Sequence, residues 1–123
     1  MTVSNPYSAN CPTRLILDRV GDKWAVLVLG LLAQEPLRFN QLRREIEGVS
    51  QKVLSQTLKS LQRDGLVNRR AFATVPVTVE YSITPLGQTL ATTVDALREW
   101  AETHIGDVLA NQRNYDREVG LAA

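Results

Sequence analysis

The chain of 123 residues is 44% hydrophobic and 22% charged with a net charge of +1, which suits one globular domain and leaves no room for a second. Its single cysteine excludes an intrachain disulfide, and one cysteine with one histidine argues against a metal site within the chain. The longest apolar run, residues 24–33, is too short to cross a bilayer and no secretory signal precedes it, so we expect a cytoplasmic protein without membrane contact.

Two helices are predicted in the first third of the chain. The first is expected to begin near Cys11, with Pro12 at its first helical position, and to end at Gly21. Asp22 is a suitable N-cap for the second helix. Residues 24–32 of this second helix are apolar almost all round, which predicts that it is buried on every side.

Two further helices follow at close spacing. A short third helix is predicted over residues 40–46 and is stopped by Gly48. The fourth helix is expected to begin after the N-cap Ser50 and to end before Gly65. Its leucines recur at intervals that form one buried stripe: Leu54, Leu58 and Leu61. About three residues separate these helices, which is the spacing of a helix-turn-helix.

The last part of the chain predicts a hairpin and a long helix. Strands are expected over residues 66–73 and 77–84, the second of which alternates apolar and polar residues. Helical spacing returns at Pro85, with apolar residues every three or four positions. We therefore predict a mainly α fold with a small β-hairpin wing.

The predicted boundaries divide the chain into three parts. Residues 1–10 are polar and contain an Asn-Pro breaker, so they are expected to form a flexible arm. Residues 11–112 are predicted to form the domain, which includes a terminal dimerisation helix over residues 85–112. Residues 113–123 lack a sustained apolar stripe and are expected to be a frayed tail.

Several segments together resemble the HxlR-type bacterial transcriptional regulators. They read GDKW at 21–24, RFNQL at 38–42, SQKVLSQTLKSLQRDGLVNR at 50–69, VEYSITPLG at 79–87, and Trp100. The resemblance covers about residues 11–105. It implies a winged helix-turn-helix fold, dimerisation through the terminal helices and binding to a palindromic operator in double-stranded DNA. Many relatives carry a cysteine at the position of Cys11, and some respond through it to electrophiles, oxidants or quinones.

The fourth helix has the composition of a helix that reads a major groove. Its polar residues opposite the leucine stripe are Ser50, Gln51, Lys52, Ser55, Gln56 and Lys59. Glutamine pairs well with adenine and lysine with guanine, and serine reaches phosphates or bases. A solvated surface helix is the alternative. The absence of acidic residues before Asp64 favours DNA, as does the net charge of +5 on residues 38–70, with eight basic and three acidic side chains.

Basic residues flank this helix in sequence. Arg69 and Arg70 lie on the first predicted strand and point to opposite faces, so one of them is expected to reach the DNA backbone or the minor groove. The alternative is an edge charge that prevents strand pairing. Arg38 is a candidate for a phosphate contact that sets register. For Arg43 and Arg44 a phosphate contact and a solvated role are equally compatible with the sequence.

The terminal helix is expected to pair with a second copy of the chain, together with the first helix. The predicted interface residues are Leu90, Val94, Leu97, Ala101, Ile105 and Val108. They exceed what a small domain needs to cover its own core, although a helix that only caps its own domain is the alternative. A two-fold dimer would place two reading helices about 34 Å apart, one turn of DNA.

Cys11 is a candidate redox sensor on its own sequence context. A thiol at a helix N-terminus has a lowered pKa, because the helix dipole favours the thiolate. The alternative is a free cysteine that acts only as a small buried hydrophobe.

Two other classes of function compete with regulation. An enzyme lacks support, because the sequence shows no triad spacing, no metal cluster and no phosphate-binding glycine loop, so we expect neither catalysis nor a cofactor. A winged-helix module that binds protein or a small ligand without DNA affinity is the second rival, and the charge of the central segment argues against it.

Overall fold

The computed structural model describes residues 5–122 and, within them, five helices and a three-stranded sheet. In chain order the elements are α1 (Thr13–Gly21), α2 (Lys23–Leu32), β1 (Leu37–Arg38), α3 (Phe39–Glu45), α4 (Gln51–Arg63), β2 (Val67–Phe72), β3 (Thr78–Ile83) and α5 (Pro85–Ala122). The predicted mainly α fold with a small β wing is confirmed. Of the expected arm, residues 5–10 form turns before α1, and residues 1–4 lie outside the described part.

The start of α2 follows the sequence closely, but its burial does not. The Asp22 carboxylate accepts a hydrogen bond from the Trp24 N–H at 2.9 Å, as expected of an N-cap. The expectation of burial on every side is wrong, since Leu27 is 46% exposed and Gly30 is also exposed. One face of α2 enters the core, and the opposite face borders a groove between α2 and α5. Apolar residues all round therefore do not establish burial all round.

The turn between α3 and α4 has the local chemistry that its sequence predicts. Gly48 has a φ of +90°, a conformation that favours glycine, and it turns the chain between the two helices. The Ser50 hydroxyl then accepts the Val53 N–H at 3.1 Å and caps α4. Leu54 is fully buried, while Gln51, Lys52 and Gln56 on the same helix are exposed. The stripe of leucines thus fixes which side of α4 faces solvent.

The sheet contains one strand more than the predicted hairpin. Its order is β1-β3-β2, and both pairings are antiparallel. The short strand β1 pairs Leu37 with Tyr81 and Arg38 with Glu80. Two residues carry no periodicity, so only the pairing with β3 identifies this strand.

One hydrophobic core joins α2, α3, α4 and the sheet. Its largest fully buried side chains are Val28, Leu29, Leu32, Leu42, Leu54, Leu58, Leu61 and Val67. Among the described residues Thr57 is the one polar residue that is buried as a whole, and its hydroxyl donates to the Val53 carbonyl at 2.8 Å. α4 is therefore anchored along its length, which keeps its exposed side in a constant orientation.

α5 differs from the prediction in which of its residues face the core and in where the helix ends. Val94 is only 3% exposed and Leu90 packs against the core, so both face the interior of their own chain rather than a partner. None of residues 95–120 is buried. The helix also continues to Ala122 where a frayed tail was predicted, because losing an apolar stripe does not by itself end a helix. Within the described residues, no helix is both long enough and apolar enough to span a membrane.

α1 is attached to the domain by an ion pair across the fold. None of its residues is buried. The Arg19 guanidinium donates from Nε to the Asp64 carboxylate, and the side chains are 22% and 7% exposed. This bond raises the pKa of Arg19 above its usual range. Because Asp64 is the C-cap of α4, the pair ties the end of α1 to the end of α4.

Replacing Asp64 by alanine is expected to lower the free energy of unfolding by about 1.5–3 kcal/mol, the usual contribution of a hydrogen bond to a charged group. Urea denaturation at a fixed protein concentration measures this. Arg98→Ala is the matched control, because Arg98 makes exposed pairs with Asp95 and Glu102 within one helix, which contribute little to stability. Equal effects of the two substitutions would contradict the structural role of the Arg19–Asp64 pair.

Candidate nucleic-acid interface

The solvent-facing side of α4 is polar and carries no carboxylate. Gln51, Lys52, Gln56 and Lys59 are all exposed. The first turn of α4 contains no acidic residue, so its free N–H groups and the helix dipole act together with the lysines in attracting anions. The structure therefore brings these four predicted residues together on one face.

The two serines predicted for this site differ in their freedom to bind. The Ser50 oxygen is occupied as the cap of Val53, so only its hydroxyl proton remains available to a phosphate. Ser55 is half-buried on the flank of α4. Both therefore lie at the margin of the exposed face, which the amide and ammonium groups dominate.

The predicted arginines lie on the two outer strands of the sheet. Arg38 on β1 and Arg70 on β2 both stand opposite Glu80 of the central strand, so the three side chains share one face. Arg69 stands opposite Tyr81 and occupies the other face. All three arginines are exposed. Glu80 reduces the positive potential near Arg38 and Arg70, which makes Arg69 the arginine with the least neighbouring negative charge in the sheet.

The wing tip is apolar and internally bonded. Thr74 donates from its hydroxyl to the Pro76 carbonyl at 2.8 Å, while Val75 and Val77 are exposed. The charge of the wing lies further down the strand, where the Arg70 guanidinium lies 4.8 Å from the centre of the Phe72 ring. The strand rather than the tip is therefore the part of the wing suited to a phosphate.

A second surface is apolar and unpaired within the described chain, and we call it the outer apolar surface. It consists of exposed residues on α1 and α5: Leu15, Ile16, Leu17, Leu97, Trp100, Ile105 and Leu109. Leu97 and Ile105 were predicted as interface residues. Two other predicted interface residues lie on the same part of α5: Ala101 is exposed and Val108 is half-buried. The indole of Trp100 and the imidazole of His104 have ring centres 4.7 Å apart. Trp100 and Leu109 were not among the predicted interface residues, although they follow Leu97 and Ile105 at helical spacings of three and four residues.

Cys11 lies just outside α1 rather than at its first turn. The N-cap is Pro12 and the helix begins at Thr13, so the thiol is one position further out than predicted. The thiol is half-buried and free. A hydrogen bond with the Thr13 side chain lowers the pKa of Cys11, and backbone groups including that of Arg14 lower it further. The cause of the lowered pKa is therefore local hydrogen bonding, in the direction that the sequence predicted.

Comparison with known proteins identifies a family over most of this fold. The model of the HxlR-like helix-turn-helix family matches residues 19–108. The HTH-type transcriptional regulator YtfH of Escherichia coli strain K12 is 45% identical over 106 residues, which cover 86% of this chain and 84% of YtfH.

Solved structures agree with this match. YtfH of Salmonella typhimurium is 41% identical, has a TM-score of 0.84, and is matched over 90% of this chain and 99% of its own. The redox regulator HypR in its reduced form is 36% identical, with a TM-score of 0.73, over 81% of this chain and 98% of its own. The likeness confirms a winged helix-turn-helix fold in which α3 and α4 form the helix-turn-helix and β2 and β3 the wing.

Proposed function

The chain belongs to the HxlR-like helix-turn-helix family of transcriptional regulators, and on that premise we propose that it binds a palindromic operator in double-stranded DNA as a homodimer. The observation that carries the proposal is the exposed side of α4, which is free of carboxylates, on a helix that contacts the strand bearing Arg69 and Arg70. A regulator acts where its operator lies, and we therefore propose a cytoplasmic location.

Each exposed group of α4 has a defined task in this proposal. Gln51 and Gln56 carry amides that pair with the N6 and N7 edge of adenine, and Lys52 donates to O6 and N7 of guanine. Lys59, further along the helix, contacts a phosphate. The free N–H groups at the start of α4 hold a second phosphate, because the helix dipole favours negative charge there.

The outer apolar surface supports the homodimer. It combines leucine, isoleucine and tryptophan side chains that are 39–59% exposed in a single chain, on the two terminal helices. Large apolar side chains that are exposed in groups mark interaction sites. A two-fold axis through this surface matches the two halves of a palindromic operator.

Arg69→Ala is expected to weaken binding to operator DNA and to random DNA alike, because a phosphate contact carries no sequence information. The slope of log affinity against log salt should fall by about 0.9 for each phosphate that the protein no longer neutralises. Fluorescence anisotropy at several salt concentrations, with the gene's own upstream DNA and a scrambled duplex, measures both.

Arg117→Ala is the matched control, since it removes the same charge from the exposed end of α5. An unchanged salt slope for Arg69→Ala would show that this arginine does not contact DNA. Equal affinity of the native protein for the upstream and scrambled duplexes would contradict the proposed function itself.

We propose further that Cys11 makes the regulator responsive to oxidants, electrophiles or quinones. HypR, one of the similar structures, is a redox regulator solved in oxidised and reduced forms. The thiol here is accessible, and its lowered pKa increases the thiolate fraction at neutral pH. Modification of Cys11 at the start of α1 would move that helix, and with it the α4 end that Arg19 holds.

Diamide is expected to lower operator affinity of the native protein at least tenfold and to leave Cys11→Ser unaffected. Gel-shift titration before and after treatment measures the difference. Thr13→Val is the matched control, because it keeps the thiol but removes the hydrogen bond that lowers its pKa. Its alkylation by iodoacetamide should therefore begin at a higher pH than in the native protein. Equal loss of DNA binding in the native protein and Cys11→Ser would remove Cys11 from the mechanism.

A further inference from the structure

A groove of about 580 Å³ lies between α2 and α5. It is bounded by the outer face of α2, the end of α3 and the first half of α5. Its wall includes Val26, Leu27, Leu31 and Ala91, and the volume falls within the range of small-molecule sites. Leu27 is 46% exposed at this wall, so the groove offers apolar surface to an occupant.

Gly30 lies in the same wall, in the interior of α2. A glycine there costs about 1 kcal/mol of helix stability relative to alanine. The fold of the single chain does not require it, since a Cβ built on Gly30 would meet no atom within 4 Å. The glycine keeps the groove open, which is useful when another molecule approaches the helix backbone closely.

The rim of the groove is acidic. Glu45, Glu47, Asp95 and Arg98 contribute the charged groups. Arg98 already donates to Asp95 at 2.9 Å and to Glu102 at 2.8 Å, so its charge is balanced. Glu45 and Glu47 take part in no ion pair within the described residues. An apolar wall beside carboxylates that are free of ion pairs is complementary to a cation with an apolar body.

We propose that this groove binds a small lipophilic cation, with its apolar body against Leu27 and Gly30 and its charge towards Glu45 and Glu47. A second copy of the chain is the alternative occupant. Leu97 and Trp100 of the outer apolar surface do not line the groove, so the groove and that surface use different side chains of α5.

An occupant of the groove would contact two elements that have different roles in the proposed function, one next to the DNA-reading helix and one in the dimer interface. Glu45 and Ile46 belong to the end of α3, directly before the turn into α4, and Asp95 belongs to the helix of the proposed dimer. A bound cation would favour one spacing between these elements and thereby alter the position of α4. This effect on DNA rests on the proposed function, whereas binding of the cation does not.

Tetraphenylphosphonium is the probe, and tetraphenylborate is its control of the same shape and opposite charge. Isothermal titration calorimetry with the full chain is expected to show binding of the cation, and at least tenfold weaker binding of the anion. The double substitution Glu45→Gln and Glu47→Gln should weaken cation binding roughly fivefold for each carboxylate. Gly30→Leu should fill the groove and abolish binding, and a cooperative thermal unfolding transition of this variant is the control for its folding.

These measurements distinguish a bound cation from a second copy of the chain, and they test the groove separately from the proposed function. Equal binding of both ions, or full binding by Gly30→Leu, would overturn the cation site. Dissociation of a dimer by Gly30→Leu in sedimentation would overturn it in favour of a second copy. If the native protein fails to bind its operator but binds the cation as described, the proposed function fails while the groove proposal stands.

Discussion

Replacing Lys52 or Gln56 by alanine is expected to reduce operator affinity by about 1–3 kcal/mol per half-site, or roughly 5- to 150-fold, and to change affinity for random DNA far less. Both side chains are exposed on the face of α4 opposite its buried leucines, so neither substitution disturbs the core. The loss is specific because a bidentate contact to a base edge exists only in the correct register. Anisotropy titrations on operator and scrambled duplexes give the ratio.

The controls for these two residues lie on the exposed end of α5. Gln112→Ala removes an amide and Arg117→Ala removes a positive charge, both far along the chain from α4. Neither should change the ratio of operator to random affinity. If Lys52→Ala and Gln56→Ala also leave that ratio unchanged, α4 does not read the operator.

The helix-turn-helix was predictable because its signals are local. Ser50 caps α4 through a bond that spans three residues, and Gly48 takes the left-handed conformation that its position in the turn suggests. The leucine stripe of α4 then determines the exposed face without knowledge of the rest of the fold. The roles of Gln51 and Lys52 stay predictions, and both side chains lie on the exposed face that a reading helix requires.

Features that depend on distant segments were not predictable from local patterns. Strand β1 exists only through its pairing with β3, more than 40 residues away. The apolar spacing of α5 continues unbroken from Leu90 to Val108, yet the body of the domain covers Val94 and leaves Leu97 exposed. The spacing alone cannot show where the helix extends beyond the domain. Residues that pack in the core and residues exposed on the outer surface were therefore predicted together as one interface. The Arg19–Asp64 pair likewise joins residues 45 positions apart.

Leu97→Glu and Ile105→Glu are each expected to convert the proposed dimer into monomers and to lower operator affinity by at least a hundredfold. Each side chain is about half exposed in the single chain, at 51% and 50%, so a charge there leaves the protomer folded. Covering a large apolar side chain contributes about 1.5–3 kcal/mol, and two-fold symmetry counts each substitution twice. Sedimentation equilibrium at micromolar concentration measures the oligomeric state, and anisotropy measures the DNA affinity.

Leu86→Glu is the matched control on the same helix. Leu86 is 58% exposed in the first turn of α5, outside the predicted interface, so the dimer should survive its replacement. Val94→Glu would be uninformative because its side chain is buried in its own chain and the protomer would unfold. Loss of operator binding without loss of the dimer in Leu97→Glu would contradict the interface. A native protein that sediments as a monomer would remove the two-fold axis, and with it the physical reason for a palindromic operator.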